Sequence, residues 1–360
     1  MVPATPIRRE GHIVITGGAG FLGTNIADAL ARRGDDVLVL DNLSRRHVRE
    51  NLTWLMKQHP AHIRPAIGDV RDHAILVRSV QGARAVVHLA AQVAVTTSVE
   101  DPVEDFDINA RGTLQVLEAV RRHAPDAMVL FASTNKVYGK LVGFDRLERT
   151  GKRYVPRDVT MKMGFDERTP LSLYSPYGCS KGAADQYVVD YARIYGLKTV
   201  VFRMSCLYGP HQYGTEDQGW VAHFLLSALR RLPISIYGDG YQVRDVLYVD
   251  DAVAAYLLAL DNIDALSGNA FNLGGGTANT LSLRELLDQI ARLQGASPEV
   301  SYHSWRPGDQ PWYVSNTRAF SDVSGWQART GISQGLESLH AWLAGFVAPE
   351  RTAFEREAVA

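Results

Sequence analysis

The sequence predicts an α/β fold of the Rossmann type, a doubly wound parallel sheet, with a smaller C-terminal α/β lobe for substrate. Three observations carry this. Short β-branched runs alternate with longer amphipathic segments through the first half of the chain. The strand candidates are apolar at nearly every position, as strands covered by helices on both faces must be. A glycine triplet also sits at the first strand-to-helix turn.

Taken in order, strands are expected over residues 12–18, 36–42, 62–69, 85–91, 127–133 and 198–205. Helical periodicity covers 21–33, 45–58, 72–80, about 103–123 and 178–195. Parallel strands linked this way place ligands at their carboxyl ends. The second half is less regular: a helix at 219–231, a turn-rich stretch at 237–245, a helix at 250–260, a glycine run at 274–280 and a helix at 282–293. The change of pattern divides the chain into a dinucleotide-binding domain, 10–205, and a substrate-binding lobe, 206–345, partly interwoven with the first. The stretch 140–175 is polar and aperiodic, and a connection this long inside a compact domain reads as a functional loop or lid.

With 360 residues the chain can bury a large core, and a net charge of −1 offers no global attraction to nucleic acid or to an anionic membrane. An anionic ligand must therefore meet local cations or amides. The opening "MVPATPIRREG" has no apolar export core, and no uninterrupted apolar stretch approaches a membrane span, which makes the cytoplasm the expected location. Two cysteines, Cys179 and Cys206, cannot build a disulfide framework, and no Cys/His spacing suits a metal site.

"TGGAGFLG" supplies Gly17, Gly20 and Gly23 between a strand and a helix. Glycine there permits a tight turn, lets amides approach a pyrophosphate and lets helix and strand pack closely. Asp41 ends the second strand, where a carboxylate binds ribose hydroxyls or simply opens the turn "DNLS". It would repel a 2′-phosphate, so NAD is favoured over NADP, with Arg45 and Arg46 nearby as the counter-signal. Asp69 in "GDVRD" could accept from an adenine amino group, and "HLAAQ" leaves room for a ribose, although each alone also reads as a strand ending.

Tyr177 and Lys181 in "SPYGCSKGAADQY" stand four residues apart on a helical segment, which puts phenol and ammonium on one face. A phenol titrates near pH 10, so it is a poor base at neutrality unless cations stabilise the phenolate. Lys181 and an oxidised nicotinamide would both do so, making Tyr177 a candidate general base. Without the glycine turn and Asp41 the same spacing would read as a surface helix pair.

These motifs, with "LAAQ", Asn109, "STNKVYG", "GDGYQVRDVLYVDD" and "RPGDQ", follow in the order of the extended short-chain dehydrogenase/reductase family, which the chain resembles over about residues 11–345. The resemblance is to its nucleotide-sugar epimerases and dehydratases. It implies NAD as cofactor, held by Gly17, Gly20, Phe21, Leu22, Gly23, Asp41, Asn42, Asp69, Val70, Leu89, Ala90, Ala91, Asn109, Ser133, Tyr177 and Lys181. Catalysis would fall to Thr134, Tyr177 and Lys181. Dehydratases of the family carry an Asp and a Glu after the position of Thr134, because eliminating water needs an acid and a base at adjacent carbons. Here Asn135 and Lys136 follow, which disfavours dehydration.

What the resemblance leaves is reversible oxidation at one carbinol carbon with return of the hydride to the other face. "STNKVYG", "SPYGCSKGAADQYVVDYARIYGL", "TVVFRMSCLYGPHQY", "DQGWV" and "QVRDVL" resemble a narrower group, the CDP-paratose 2-epimerases, more than the C4 epimerases of other nucleotide hexoses, which form the alternative. A non-catalytic NAD sensor would typically lose the Tyr/Lys pair. One departure is Cys206, where many relatives have an Asn three residues after the arginine that is here Arg203. On the substrate side the resemblance implies Thr134, Asn135, Cys206, Gln218, Trp220, Arg244 and Arg306, the two arginines on the diphosphate. Lys136 faces the diphosphate or sugar, or else points to solvent. The family also implies a homodimer, or a homotetramer, built on the 103–123 and Tyr/Lys helices, whose apolar stripes equally suit packing on the sheet of a monomer.

Overall fold

The computed structural model describes residues 10–306 and 308–357; the first nine residues, part of the stretch in which no export core is expected, lie outside it. Seven strands form the central sheet: β1 (His12–Thr16), β2 (Val37–Asp41), β3 (Ile63–Ile67), β4 (Ala83–His88), β5 (Met128–Thr134), β6 (Thr199–Met204) and β7 (Asn269–Leu273). Their spatial order is β7-β6-β5-β4-β1-β2-β3, every pair parallel. The order reverses between β1 and β4, and the crevice at the carboxyl ends of those strands is where such sheets bind ligands.

Strand alternation sorts the apolar residues into two layers. Ile13 and Ile15 of β1 pack with Ile26 and Leu30 of α1 (Phe21–Arg32), while Val14 faces the opposite layer with Leu76 of α2 (His73–Val80), Leu117 of α3 (Gly112–His123) and Val188 of α4 (Ser175–Tyr195). β5 is buried at all of its positions, so its last residues, Ser133 and Thr134, are carried inward on a rigid element.

Several boundaries differ from the expectation. The helix expected over 45–58 begins at Val48, because His47 takes a left-handed conformation (φ 63°). The helix expected over 103–123 is built in three pieces, Pro102–Phe106, a π-helical turn Asp107–Arg111, and α3. α4 starts at Ser175, with Pro176 in the first turn where a missing N–H costs nothing. The turn-rich stretch contains the end of a strand, Ile234–Tyr237, and the start of another, Val243–Tyr248, so only residues 238–242 turn.

The second half of the chain threads back into the first. Helix Val249–Asp261 packs on α1, and β7 completes the central sheet after it. The smaller sheet is built around Val243–Tyr248, which pairs with Cys206–Tyr208, Thr280–Ser282 and Trp312–Tyr313.

Residues 140–175 are not the lid expected from their polarity. They form a hairpin, Leu147–Thr150 with Arg153–Pro156, whose polar residues are spent on the second half of the chain. Arg153 pairs with Glu285 at 2.6 Å and donates to Thr280, the Tyr154 N–H donates to Tyr241 O, and the Phe165 N–H donates to Val314 O. The stretch buttresses the second half of the chain, and part of its polarity is taken up by long-range ion pairs.

Candidate active site

At the crevice lies a cleft of roughly 760 Å³, lined on one bank by the carboxyl ends of β1, β2, β4 and β5 and on the other by residues from 204–221 and 235–244 with Arg306, Gly308 and Asp309. On the first bank Gly17 has φ +66°, and a Cβ there would stand 2.8 Å from Ala90 N. A Cβ on Gly23 would stand 2.5 Å from Gly17 O. Both glycines are therefore demanded by close approach of backbone to backbone. No side chain caps α1 at Gly20, and Phe21 and Leu22 line the cleft, so the helix's first N–H groups remain for a ligand. Asp41 Oδ2 accepts from Ala19 N (3.1 Å) and Oδ1 from Leu43 N (2.8 Å). Burial pushes its pKa up against the pull of these bonds. The carboxylate thus braces the glycine turn and retains acceptor sites for hydroxyls.

Asn42, Val70, Leu89, Ala90 and Ala91 line the same bank. Asp69 lines it too, with its carboxylate held by Arg71 (2.9 and 3.0 Å) and Asn42 (2.9 Å) and its pKa drawn down to about 2, chiefly by Arg71. Asn109 is brought near but not into the cleft. The π-helical turn buries it behind the wall, where its carboxamide bonds the backbone N and O of Gln92, Asp105 and Ser180. Ser133 lines the cleft while its hydroxyl donates to Asp185, itself clasped by Arg203 at 2.9 Å.

Tyr177, Lys181 and Thr134 meet at the floor. Lys181 Nζ donates to Ala132 O (2.6 Å) and stands 4.1 Å over the Phe131 ring, and burial brings its pKa down to about 7. Burial also pushes Tyr177 up to about 12, against the pull of the Thr134 hydroxyl and of Arg45. In the protein by itself burial disfavours the charged form of both groups, and of the charges near the phenol Asp105 raises its pKa while Arg45, which the sequence offered only as a counter-signal for NADP, lowers it.

Next to Thr134, Asn135 is buried and Lys136 N donates to the Thr134 hydroxyl (3.2 Å). Lys136 Nζ turns inward, donating to Gln310 (3.3 Å), and burial lowers its pKa to about 8. Pointing to solvent is thereby excluded for Lys136. Cys206, Gln218, Trp220, Arg244 and Arg306 all line the far bank. Burial pushes the Cys206 thiol up, against the pull of Arg244 and of the neighbouring Trp220 indole N–H.

Both arginines of that bank are occupied. Arg244 pairs with Asp309 at 2.5 Å; Arg306 pairs with Glu216 (3.0 Å) and Asp217 (3.3 Å) and lies 3.8 Å over the Tyr237 ring. Glu216, Asp217 and Asp309 were missed as site residues. Asp309 was within reach through "RPGDQ" and Asp217 through "DQGWV", whereas Glu216 has no local signal.

A scan of the chain matches the family described as "NAD dependent epimerase/dehydratase family" over residues 13–274. The chain belongs to the NAD dependent epimerase/dehydratase family. It is 41% identical over 337 residues to a CDP-paratose 2-epimerase of Salmonella typhi, covering 92% of this chain and 98% of that protein. It is 33% identical over 332 residues to a putative UDP-glucose 4-epimerase of Methanocaldococcus jannaschii, covering 92% and 98%. Among solved structures it resembles a Thermus thermophilus UDP-glucose 4-epimerase in complex with NAD, with 33% identity and a TM-score of 0.77 over 93% of this chain and 99% of that one. The coenzyme of the family fits the first bank, since the space kept free of Cβ atoms at Gly17 and Gly23 and the uncapped start of α1 suit a dinucleotide diphosphate, and Asp41 suits its ribose.

Proposed function

We propose that this enzyme inverts one carbinol carbon of a nucleotide-activated sugar, converting CDP-paratose to CDP-tyvelose by epimerisation at C2. The observation that carries it is the end of β5. Thr134 stands beside Tyr177 at the cleft floor, and the next two residues, Asn135 and an inward-turned Lys136, offer no acid and base for elimination. The 41% identity to a CDP-paratose 2-epimerase, nearly end to end, supports the sugar and the carbon.

NAD+ bound along Gly17–Gly23 and Asp41 supplies a hydride acceptor that later serves as donor, so none is consumed. The protein's own part is proton transfer and positioning. Tyr177 takes the proton of the reacting hydroxyl as the carbon becomes a ketone, and gives it back when the opposite face is reduced. Thr134 holds that hydroxyl. Lys181, fixed by Ala132 O, supplies positive charge when protonated. Phe21, Leu22, Asn42, Asp69, Val70, Leu89, Ala90, Ala91 and Ser133 line the coenzyme bank, and Asn109 acts from behind it by shaping the Gln92 loop. Residues 206–345 hold the nucleotide, with Arg244 and Arg306 on its diphosphate through planar forks. Asn135, Lys136, Cys206, Gln218 and Trp220 surround the sugar.

Exposed Val103, Phe106, Tyr187, Ile194 and Tyr195 on the helices around the Tyr/Lys pair support a homodimer, or a homotetramer built from it. A soluble nucleotide substrate and coenzyme support a cytoplasmic location.

Purified protein given CDP-paratose should yield the C2-inverted product without added NAD+, and deuterium at C2 should pass through the coenzyme. Turnover of a UDP-hexose at C4 with no inversion at C2 would overturn the assignment of the carbon.

A further inference from the structure

We propose that Arg45 is a coenzyme-binding residue: its guanidinium binds the bridging diphosphate of the dinucleotide and, by another N–H, holds Gln218 on the substrate bank. The inference rests on the NAD reading of the first bank and adds a cation to it.

Five cationic side chains line the cleft, Arg45, Lys136, Lys181, Arg244 and Arg306. Arg244 and Arg306 hold carboxylates, and the two lysines are turned onto Gln310 and Ala132 O. Arg45, like the two lysines, makes no ion pair among the described residues, and its hydrogen bond, Nη1 to Gln218 Oε1 (2.5 Å), is to a neutral carboxamide; of these three it is the one that carries a planar fork and follows the strand that ends at Asp41. The residue is exposed along its length, yet the groove around its head group lowers its pKa, and Tyr177 and Asp41 are the charges that oppose this. Arg45 also lines the same cleft as the ribose carboxylate of Asp41 and the phenol of Tyr177. Along a dinucleotide, what joins the adenine ribose to the nicotinamide end is the diphosphate.

The glycine turn meets that diphosphate with neutral amides and a helix terminus alone. A chain of net charge −1 supplies no background attraction, so a local cation would add to the binding, and Arg45, outside any ion pair among the described residues, is the arginine that lines this bank. A planar fork can give one edge to phosphate and the other to Gln218. Gln218 belongs to the strap in which Thr215 and Gln218 bond each other, Asp217 accepts from Thr96 (2.9 Å) and Glu216 holds Arg306. Coenzyme binding would thus set the position of the substrate bank. A 2′-phosphate would offer Arg45 the same chemistry, but it would lie against Asp41 at the far end from Tyr177.

The test is calorimetric titration of full-length protein, freed of endogenous coenzyme, with NAD+, ADP-ribose and NADP+ at several salt concentrations. Arg45→Gln should weaken NAD+ and ADP-ribose alike, by roughly tenfold to a hundredfold as expected for a charge-assisted bond, and flatten the salt dependence. Arg45→Lys, which keeps the charge but loses the fork, should recover part of the affinity and shows that the site still folds. Unchanged NAD+ and ADP-ribose affinities in Arg45→Gln would overturn the proposal, as would a loss confined to NADP+. Failure of the unaltered protein to bind ADP-ribose would overturn the NAD reading itself.

Discussion

On the coenzyme bank of the cleft, negative charge is met by backbone amides around Gly17–Gly23 and by Arg45, which has no carboxylate partner. On the substrate bank, Arg244 and Arg306 already hold Asp309, Glu216 and Asp217. The first bank is organised in advance for an anion that stays. The second neutralises itself, so a diphosphate bound there, as proposed, would exchange with carboxylates and, on leaving, hand the arginines back. Such an exchange costs affinity and spares the protein a pair of unpaired cations, one of them buried, between turnovers. That division suits an epimerase, in which the coenzyme is regenerated in place and only the sugar nucleotide must come and go.

The largest break in this comparison is at the floor, where the banks meet. Tyr177→Phe should lower kcat by roughly a hundredfold to ten-thousandfold, as loss of a general acid–base group does, while NAD+ binding on the first bank persists. Because burial holds the phenol at about 12, the unaltered enzyme should gain turnover as pH rises below that value, and the variant should lose this dependence. A Tyr177→Phe protein with near-normal turnover would place the base elsewhere.

A smaller effect sharpens the contrast on the substrate bank. Asp309→Asn frees Arg244, so CDP and the nucleotide sugar should bind more tightly, by up to roughly tenfold, with KM falling more than kcat changes. Glu216→Gln should act in the same direction and less, since that pair is more exposed to solvent. Weaker binding in both variants would mean that the carboxylates position the arginines for phosphate rather than compete with it.

The two banks were also unequally legible in the sequence. Gly17, Gly20, Gly23 and Asp41 fall within one strand-helix-strand unit, where local spacing dictates geometry, and six of the seven central strands followed from periodicity, whereas β7 was not anticipated. Tyr177 and Lys181 were legible because a helix fixes the relation of residues four apart. The titration of that pair was not, since it depends on burial beneath distant segments. Arg306 meets Glu216 across ninety positions and Arg244 meets Asp309 across sixty-five, so no window of sequence contains either pair. The hairpin in 140–175 escaped for the same reason: the partners of Lys152 and Arg153, Asp288 and Glu285, lie more than a hundred residues on. Asn109 was legible as part of a motif, but the π-helical turn that carries it behind the wall leaves no mark in the apolar period.

The last contrast is invisible at neutral pH and concerns the core under the coenzyme bank. His88, at the end of β4, is fully buried between the Thr16 hydroxyl (2.6 Å) and the Thr113 hydroxyl (3.0 Å), and burial, aided by Lys181, brings its pKa down to about 3. An unfolded chain protonates this imidazole near pH 6.5, so between that value and 3 the unfolded state binds a proton that the fold does not. The stability tied to the neutral ring is complete above pH 6.5 and declines as pH falls, at a limiting slope of about 1.4 kcal/mol per pH unit. His211, outside the cleft lining and hydrogen-bonded to Asn51, is lowered to about 4 by burial and should contribute over a narrower window. Urea unfolding at pH 7.5 and pH 5 should therefore show a loss of roughly 2 kcal/mol from His88 alone. His88→Asn, which keeps polar contacts but does not titrate, should be less stable at pH 7.5 and lose less on acidification. If the variant and the unaltered protein lose stability in parallel, the acid sensitivity belongs to other groups and the coenzyme bank carries no buried titration of its own.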